Sequence, residues 1–234
     1  MSAHTSSLAL WPWVKVAEQH GLTLGRLSQC CGLSPGELRD PAARISQDHA
    51  NRVAALACEH LGAGAAMAAA QTVEAGHFQL VEQAVRAAPT VADGLDLMTE
   101  LFPLLHFGGR IQHGRTRNES LVRYADLPGT HMHPAYVELL FAVGLEAIRR
   151  ETGQRLQALR VTFTHPCMGP SRLYGKLLGP DVRFGMRTNS LVLSVEVANL
   201  PLLRANADVL AQATRIAGDS LPSLSVPEPH PTTR

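Results

Sequence analysis

Residues 110–125, RIQHGRTRNESLVRYA, mark the point at which the hydrophobic pattern of this sequence changes its period. Before this stretch apolar residues recur about every 3.6 positions, which is typical of helices with one buried face, and within it they alternate with a period of 2 residues, as in half-buried strands. The stretch predicts two strands, 110–117 and 120–125, joined in a hairpin at Asn118-Glu119. We therefore expect helices before residue 110 and a sheet after it.

The first hundred residues contain several helix signals. Ser34-Pro35-Gly36-Glu37 combines an N-cap serine with a proline in the first turn and a glutamate three residues after the cap, which is a capping box. Pro41 ends the helix that follows after little more than one turn. A later helix is expected to end before Pro89, and its buried face is formed by Phe78, Val81, Val85 and Ala88.

The second half alternates strands with helices. Pro134 begins a helix whose shared face is predicted to carry Tyr136, Leu140, Val143 and Ala147. A half-buried strand is predicted where Leu159, Val161, Phe163 and His165 alternate with polar residues. A short helix over 171–178, a last pair of strands over 182–184 and 190–196, and a helix over 201–216 complete the pattern. The predicted fold class is α+β: a helical N-terminal half followed by a mainly antiparallel sheet in β-β-α-β-α-β-β order.

Composition limits the functions that this chain can have. Its 234 residues include 21 basic and 20 acidic side chains, so the formal net charge of +1 provides no global field for holding a nucleic acid. The four cysteines show no metal-site or disulfide spacing. No apolar run approaches the length of a membrane span, and no signal peptide is recognised. We expect a reduced, cytoplasmic protein that has no membrane segment.

Three segments are predicted along the chain. Residues 1–22 are expected to be an N-terminal extension and residues 23–219 a single effector-sensing domain. Residues 220–234 are rich in proline and serine, and this composition is typical of a flexible tail or linker.

Residues 24–38 superficially resemble a helix-turn-helix, with a glycine turn at Gly32 and a Ser-Pro start to the second helix. A DNA-reading helix needs two to three turns to place side chains along the major groove. Pro41 leaves this helix barely one turn, so the structural interpretation is favoured over a DNA reader.

The other polar candidates also favour structural roles. His131 and His133 could share a face as metal ligands, but no third ligand is nearby, and His133 more simply caps the helix that begins at Pro134. His165 is more often a satisfied core histidine than a catalyst. No motif for hydrolysis, phosphate binding or dinucleotide binding occurs. We therefore expect no catalytic residues, no metal and no cofactor, and a protein that is not an enzyme.

Basic residues are densest around the predicted hairpin. Arg115 and Arg117 share a strand face and could hold a carboxylate through paired hydrogen bonds. The alternative, which we favour, is a solvated edge strand whose charge prevents sheet-to-sheet aggregation.

Five phrases, in order along the chain, carry a family resemblance. They are 32–45 (GLSPGELRDPAARI), 76–80 with 88–91 (GHFQL and APTV), 159–166 (LRVTFTHP), 182–185 (VRFG) and 189–193 (NSLVL). With these phrases the chain resembles the N-terminal, arabinose-binding-like domain of AraC/XylS-type transcriptional regulators, in a branch that includes regulators of ornithine-type catabolism. The resemblance covers about residues 24–210.

The resemblance implies a domain that binds a small effector and forms a homodimer, while a following helix-turn-helix domain binds DNA. That second domain is not found in this sequence, and we expect this chain to bind no specific DNA directly. Effector pockets have mostly apolar walls with a few polar groups. The candidate ligand-binding residues are Phe78, Phe107, Arg115, Arg117, Tyr136, Phe163 and His165. An interaction or dimerisation module without a ligand, and an unrecognised enzyme, remain the alternatives.

We expect no discrete complex in a mobility-shift assay of this chain with its neighbouring promoter. The short helix that ends at Pro41 and the near-neutral charge are the reasons. Non-specific binding weakens steeply with salt. A complex that survives about 150 mM salt and competitor DNA would contradict this prediction.

Overall fold

The structure, a computed structural model, describes residues 3–62 and 64–221. Its N-terminal half is helical, as predicted, and two short 3₁₀ turns over Ser7–Ala9 and Phe102–Leu104 adjoin the helices. The helices of this half are α1 (Trp11–Gln19), α2 (Leu24–Cys31), α3 (Pro35–Arg39), α4 (Gln47–Leu61), α5 (Ala65–Ala70), α6 (Gln79–Arg86) and α7 (Val91–Leu101). A two-stranded antiparallel sheet of β1 (His4–Ser6) and β2 (Arg44–Ser46), which the sequence did not predict, joins the chain start to this half.

The second half contains the predicted sheet in the predicted order. Its elements are β3 (Gly109–Arg115), β4 (Glu119–Asp126), α8 (Pro134–Thr152), β5 (Arg160–Thr162), α9 (Ser171–Leu177), β6 (Val182–Arg183) and β7 (Asn189–Ser194), followed by α10 (Val195–Ala198) and α11 (Ala207–Ser220). The spatial order is β3-β4-β7-β5-β6. All neighbours are antiparallel except β5 and β6, so the α+β, mainly antiparallel prediction is confirmed.

The hairpin turn lies one residue before its predicted place. Thr116 and Glu119 face each other: the Thr116 N–H donates to the Glu119 carbonyl at 2.8 Å, and the Glu119 N–H donates to the Thr116 hydroxyl at 3.0 Å. The two turn residues are therefore Arg117 and Asn118. The hydroxyl of Thr116 supplies a local partner for the turn, and the alternation of apolar residues does not encode this contact.

Both of the last two predicted strands are present, but they are not neighbours in the sheet. β7 lies in the middle of the sheet between β4 and β5, while β6 pairs with β5 in parallel. Leu191, Val192 and Leu193 are all buried, as in a strand covered on both faces. β7 also ends earlier than predicted, because the Ser194 hydroxyl accepts the Val197 N–H and begins α10.

Two further boundaries differ from the sequence expectation. The strand predicted over 159–165 is regular only over Arg160–Thr162, and Leu159 is 48% exposed and not on the apolar face. The helix predicted from Pro201 begins at Ala207, because the Asn206 side chain accepts the N–H groups of Asp208 and Val209 and so caps it there.

The segment that imitates a helix-turn-helix has the predicted short second helix. Gly32 ends α2 in the left-handed conformation, with a φ of 69°. The capping box of Ser34 and Glu37 begins α3, which contains only five residues. Five residues are fewer than two turns, so α3 cannot follow a major groove in the way a reading helix does.

Residues near the chain start belong to the main hydrophobic core. Trp13 in α1 is fully buried, and Leu10 and Val16 are buried beside it. The residues predicted as an N-terminal extension thus include a strand and a helix that pack on the rest. Of the predicted tail, Ser220 is the last residue of α11, and residues 222–234 lie outside the described residues.

Helix α8 is the longest helix among the described residues, with 19 residues. The His133 ring accepts the Ala135 N–H at its start, and Gly153 ends it with a φ of 68°. Arg149 and Arg150 lie in its last turn, where positive charge is favourable. No helix of the described part of the chain has both the length and the apolar character that crossing a membrane requires.

We expect Trp13→Ala to lower the free energy of unfolding by about 3–5 kcal/mol, the usual cost of removing a large buried aromatic side chain. Lys15→Ala is the matched control, because Lys15 lies exposed in the same helix and its ion pair with Glu74 is a surface contact worth about 1 kcal/mol or less. Urea denaturation of both variants measures the difference. Equal costs would show that α1 does not contribute to the core.

Candidate effector cleft

An apolar cleft of about 180 Å³ lies between α6 and α7 on one side and α8 on the other, and it opens to solvent beside the exposed Gly144. We call it the α8 cleft. Its size corresponds to roughly a dozen water molecules at about 15 Å³ each.

One wall of the α8 cleft is the face of α8 that the sequence pattern predicted. Tyr136, Leu140, Val143 and Ala147 all line it, and Gly144 lies among them. From Tyr136 to Arg150 this wall extends over 14 helical steps, or about 21 Å at 1.5 Å per residue. The α8 cleft is therefore long, and the small residues 144 and 147 provide its width.

The floor of the α8 cleft is the sheet face that carries Ile111, Val122 and Leu191. Val122 pairs with Leu191, and Leu191 pairs with Val161. Val161 therefore lies on the same sheet face as Val122 and Leu191, but one strand away from the α8 cleft. The sequence could not show this displacement, because it depends on β7 lying between β4 and β5.

The opposite wall comes from α6 and α7. Gly94, Leu95 and Met98 of α7 line the α8 cleft, together with Phe78 at the start of α6 and Val85 within it. A Cβ at Gly94 would lie 3.2 Å from the Val85 carbonyl oxygen, so this glycine permits close packing of the two helices.

Charged side chains gather at one end of the α8 cleft, near the C-terminal ends of α6 and α8. Glu82, Arg86, Arg150 and Glu151 line this end. The Glu82 carboxylate is buried, and it accepts the Gly76 N–H at 2.8 Å and a bond from Arg150 Nη2 at 3.1 Å. Sequence reasoning did not find this group, because Glu82 and Arg150 are 68 positions apart and no local pattern connects them.

The two carboxylates at this end are fully engaged, while the arginines are not. Arg204 Nη1 donates to both oxygens of Glu151 at 3.0 Å, and Arg150 Nε donates to one of them at 3.3 Å. Arg150 Nη1 has no hydrogen-bond partner, and Arg86 has neither a hydrogen bond nor an ion pair, within the described part of the chain. These two arginines therefore keep unused donors beside the α8 cleft, whose own surface is almost wholly apolar.

Of the seven candidate residues from the sequence, Phe78 and Tyr136 line the α8 cleft and the others do not. Phe107 stacks on His4 at 5.1 Å between ring centroids. Arg115 donates to Asp96 at 2.9 Å on the surface, and Arg117 lies exposed in the hairpin turn.

Phe163 and His165 belong to a separate aromatic cluster beyond β5. Phe163 stacks on Phe184 at 5.4 Å, and its ring centroid lies 5.2 Å from that of His165. His165 Nε2 is 3.6 Å from the Glu138 carboxylate, beyond hydrogen-bond distance, and it has no hydrogen-bond partner among the described residues. No three His, Cys, Asp or Glu residues cluster as metal ligands in residues 3–62 and 64–221.

Glu138 of α8 is a buried acid beside this aromatic cluster. Burial raises the pKa of its carboxyl to about 7, and the hydrogen bond from the Tyr174 hydroxyl, at 3.0 Å, acts in the opposite direction. Burial also lowers the pKa of His165. Both groups therefore favour their neutral forms.

Comparisons with known proteins agree with this architecture. The solved structure of the transcriptional regulator CdpR from Pseudomonas aeruginosa has a similar fold, with a TM-score of 0.56 at 15% sequence identity. The match covers 86% of this chain and 62% of that one, so this chain spans less than two thirds of that regulator's length. No match was found among the curated proteins.

This chain thus shares its fold with part of a solved transcriptional regulator. The family described as the N-terminal arabinose-binding domain of AraC transcription regulators matches residues 21–202. Because this match covers most of the chain, the chain belongs to that family.

Glu138→Gln is expected to stabilise the protein increasingly as pH rises. Below the ordinary pKa of 4.5, the Glu138 carboxyl is protonated in both the folded and the unfolded protein. Between pH 4.5 and about 7 it ionises only in the unfolded chain, so the free energy of unfolding of the natural protein falls as pH rises. Above pH 7 the carboxyl is ionised in both states, and this loss of stability is complete. The gain should approach an amount on the order of 3 kcal/mol at high pH. Denaturation of both proteins at several pH values measures it, and parallel stability curves would contradict a raised pKa.

Proposed function

We propose that this chain is the effector-sensing domain of an AraC-type regulator and that a small molecule binds in the α8 cleft. The observation that carries the proposal is the apolar α8 cleft, which the surrounding side chains leave unfilled, whereas an interaction module without a ligand would have packed side chains there. Phe78 and Tyr136 are the two sequence candidates that we retain as ligand contacts. The domain acts without catalysis, and it works in the cytoplasm, where transcription takes place.

The position of the α8 cleft supports a role in signalling. One wall belongs to helices α6 and α7 of the N-terminal half, while α8 and the sheet of the second half form the other wall and the floor. A ligand that contacts both would favour one relative packing of the two halves over another. We propose that this shift reaches a homodimer surface and a DNA-binding domain outside residues 23–219, so that the chain alone reads no DNA sequence.

A thermal-shift screen against amino acids, organic acids and alcohols tests the proposal, since a ligand at 100 times its Kd adds about 2.7 kcal/mol of stability. We expect at least one compound to raise the Tm of the natural protein and not that of Gly144→Leu. Gly144 lines the α8 cleft and a Cβ there meets no atom within 4 Å, so a leucine side chain can start at this position without a clash and compete with a ligand for the cleft.

Gly175→Leu is the matched control. Gly175 is also a helical glycine with open space at its Cβ, but it lies on α9 and does not line the α8 cleft. Replacing glycine within a helix favours folding, so both variants should fold. If no compound acts, and Gly144→Leu instead changes the oligomeric state in light scattering, the α8 cleft is an association surface and the sensing proposal fails.

A further inference from the structure

The α8 cleft has two ends of opposite character, and this asymmetry limits what can occupy it. At one end Tyr136 is buried against Ala9 and Met132. At the other end the α8 cleft reaches the charged group of Glu82, Arg86, Arg150 and Glu151. Between them lie about 21 Å of apolar wall along α8. A compact polar molecule such as a sugar would leave most of its hydroxyl groups unpaired on this wall, at a cost of about 1–3 kcal/mol each.

The free N–H groups at the charged end favour a ligand that accepts hydrogen bonds. Both carboxylates are already bound by arginines or by backbone N–H groups. Arg86 and the Nη1 group of Arg150 keep free N–H donors in the described part of the chain. Guanidinium groups pair best with planar oxyanions such as a carboxylate.

The surroundings of Arg150 extend this positive region. A second pocket adjoins the α8 cleft and shares Val73 and Arg150 with it. Its charged lining residues are Glu146, Arg149, Arg150 and Arg155. Arg149 Nη1 forms an ion pair with Glu146 Oε1 at 2.6 Å. The net charge around the junction of the two pockets is therefore positive, which stabilises an anionic group placed there.

We infer that the α8 cleft binds an elongated amphipathic anion, namely an aliphatic carboxylate whose chain lies along α8 and whose head group is held by Arg86 and Arg150. This inference rests on the proposed function of the α8 cleft as the effector site, and it adds the chemical class of the effector. The chain replaces water on the apolar wall, and each buried methylene contributes about 0.8 kcal/mol.

Titration calorimetry of the natural protein with decanoate, 1-decanol and acetate, below the micellar range, tests the inference. Decanoate should bind at least roughly tenfold more tightly than 1-decanol, the usual effect of a charge-assisted hydrogen bond. Acetate should not bind measurably, because it lacks the chain. Gly144→Leu should abolish decanoate binding, and Gly175→Leu should leave it unchanged.

Arg86→Gln separates the head-group contact from the apolar contact. We expect it to weaken decanoate binding roughly tenfold and to leave 1-decanol binding unchanged. Arg86→Lys, which keeps the charge, should recover part of the affinity. Arg117→Gln is the control, because Arg117 is an exposed arginine outside the α8 cleft.

The alternative outcomes are distinguishable. If 1-decanol binds as tightly as decanoate, is blocked by Gly144→Leu and is insensitive to Arg86→Gln, the anionic head group is refuted while the sensing function stands. The same holds if neither probe binds but a compact compound from the thermal-shift screen does so in the α8 cleft. If Arg117→Gln weakens decanoate and Arg86→Gln does not, the head group lies at the hairpin and the inference is wrong. Absence of binding in both experiments refutes both proposals.

Discussion

The packing of helix α8 is the constraint on which the rest of the structure depends. Its Phe141, Ala142 and Leu145 are buried in the main core, so the helix cannot move without disturbing both halves of the fold. The neighbouring face carries Gly144 and Ala147, which are too small to fill the space opposite α6 and α7. The same helix therefore holds the fold together and leaves the cavity open. Its caps at His133 and Gly153 set the length of the helix that forms this wall of the cavity.

The charged end of the α8 cleft shows why buried ionic groups need several partners. A buried carboxylate such as Glu82 is costly unless it is hydrogen-bonded, and here backbone N–H groups and Arg150 together satisfy it. Arg150 is shared with Glu151, which Arg204 also binds. This network joins α6, α8 and the segment before α11, so a ligand that contacts Arg150 would act on three elements at once.

Glu138, on the same helix, is a buried carboxyl that has no arginine partner among the described residues. It faces Tyr174 and His165, away from the α8 cleft, and desolvation favours its neutral form. One face of α8 therefore lines the α8 cleft, while Glu138 on another face contacts Tyr174 and His165 in the aromatic cluster. Desolvation raises the pKa of this carboxyl, and among the described residues the basic side chain within ion-pair distance is His165, whose own pKa burial lowers.

The sequence by itself determined the fold class, the order of elements in the sheet half and the cleft-lining face of α8, because helix and strand periods and caps such as Ser34 and His133 are local signals. Only the tertiary structure decided that β7 enters the middle of the sheet, which moves Val161 and Phe163 away from the α8 cleft. It also decided the pairing of Glu82 with Arg150. Strand neighbours and ion pairs of this kind join distant residues, and no local period of the chain encodes them.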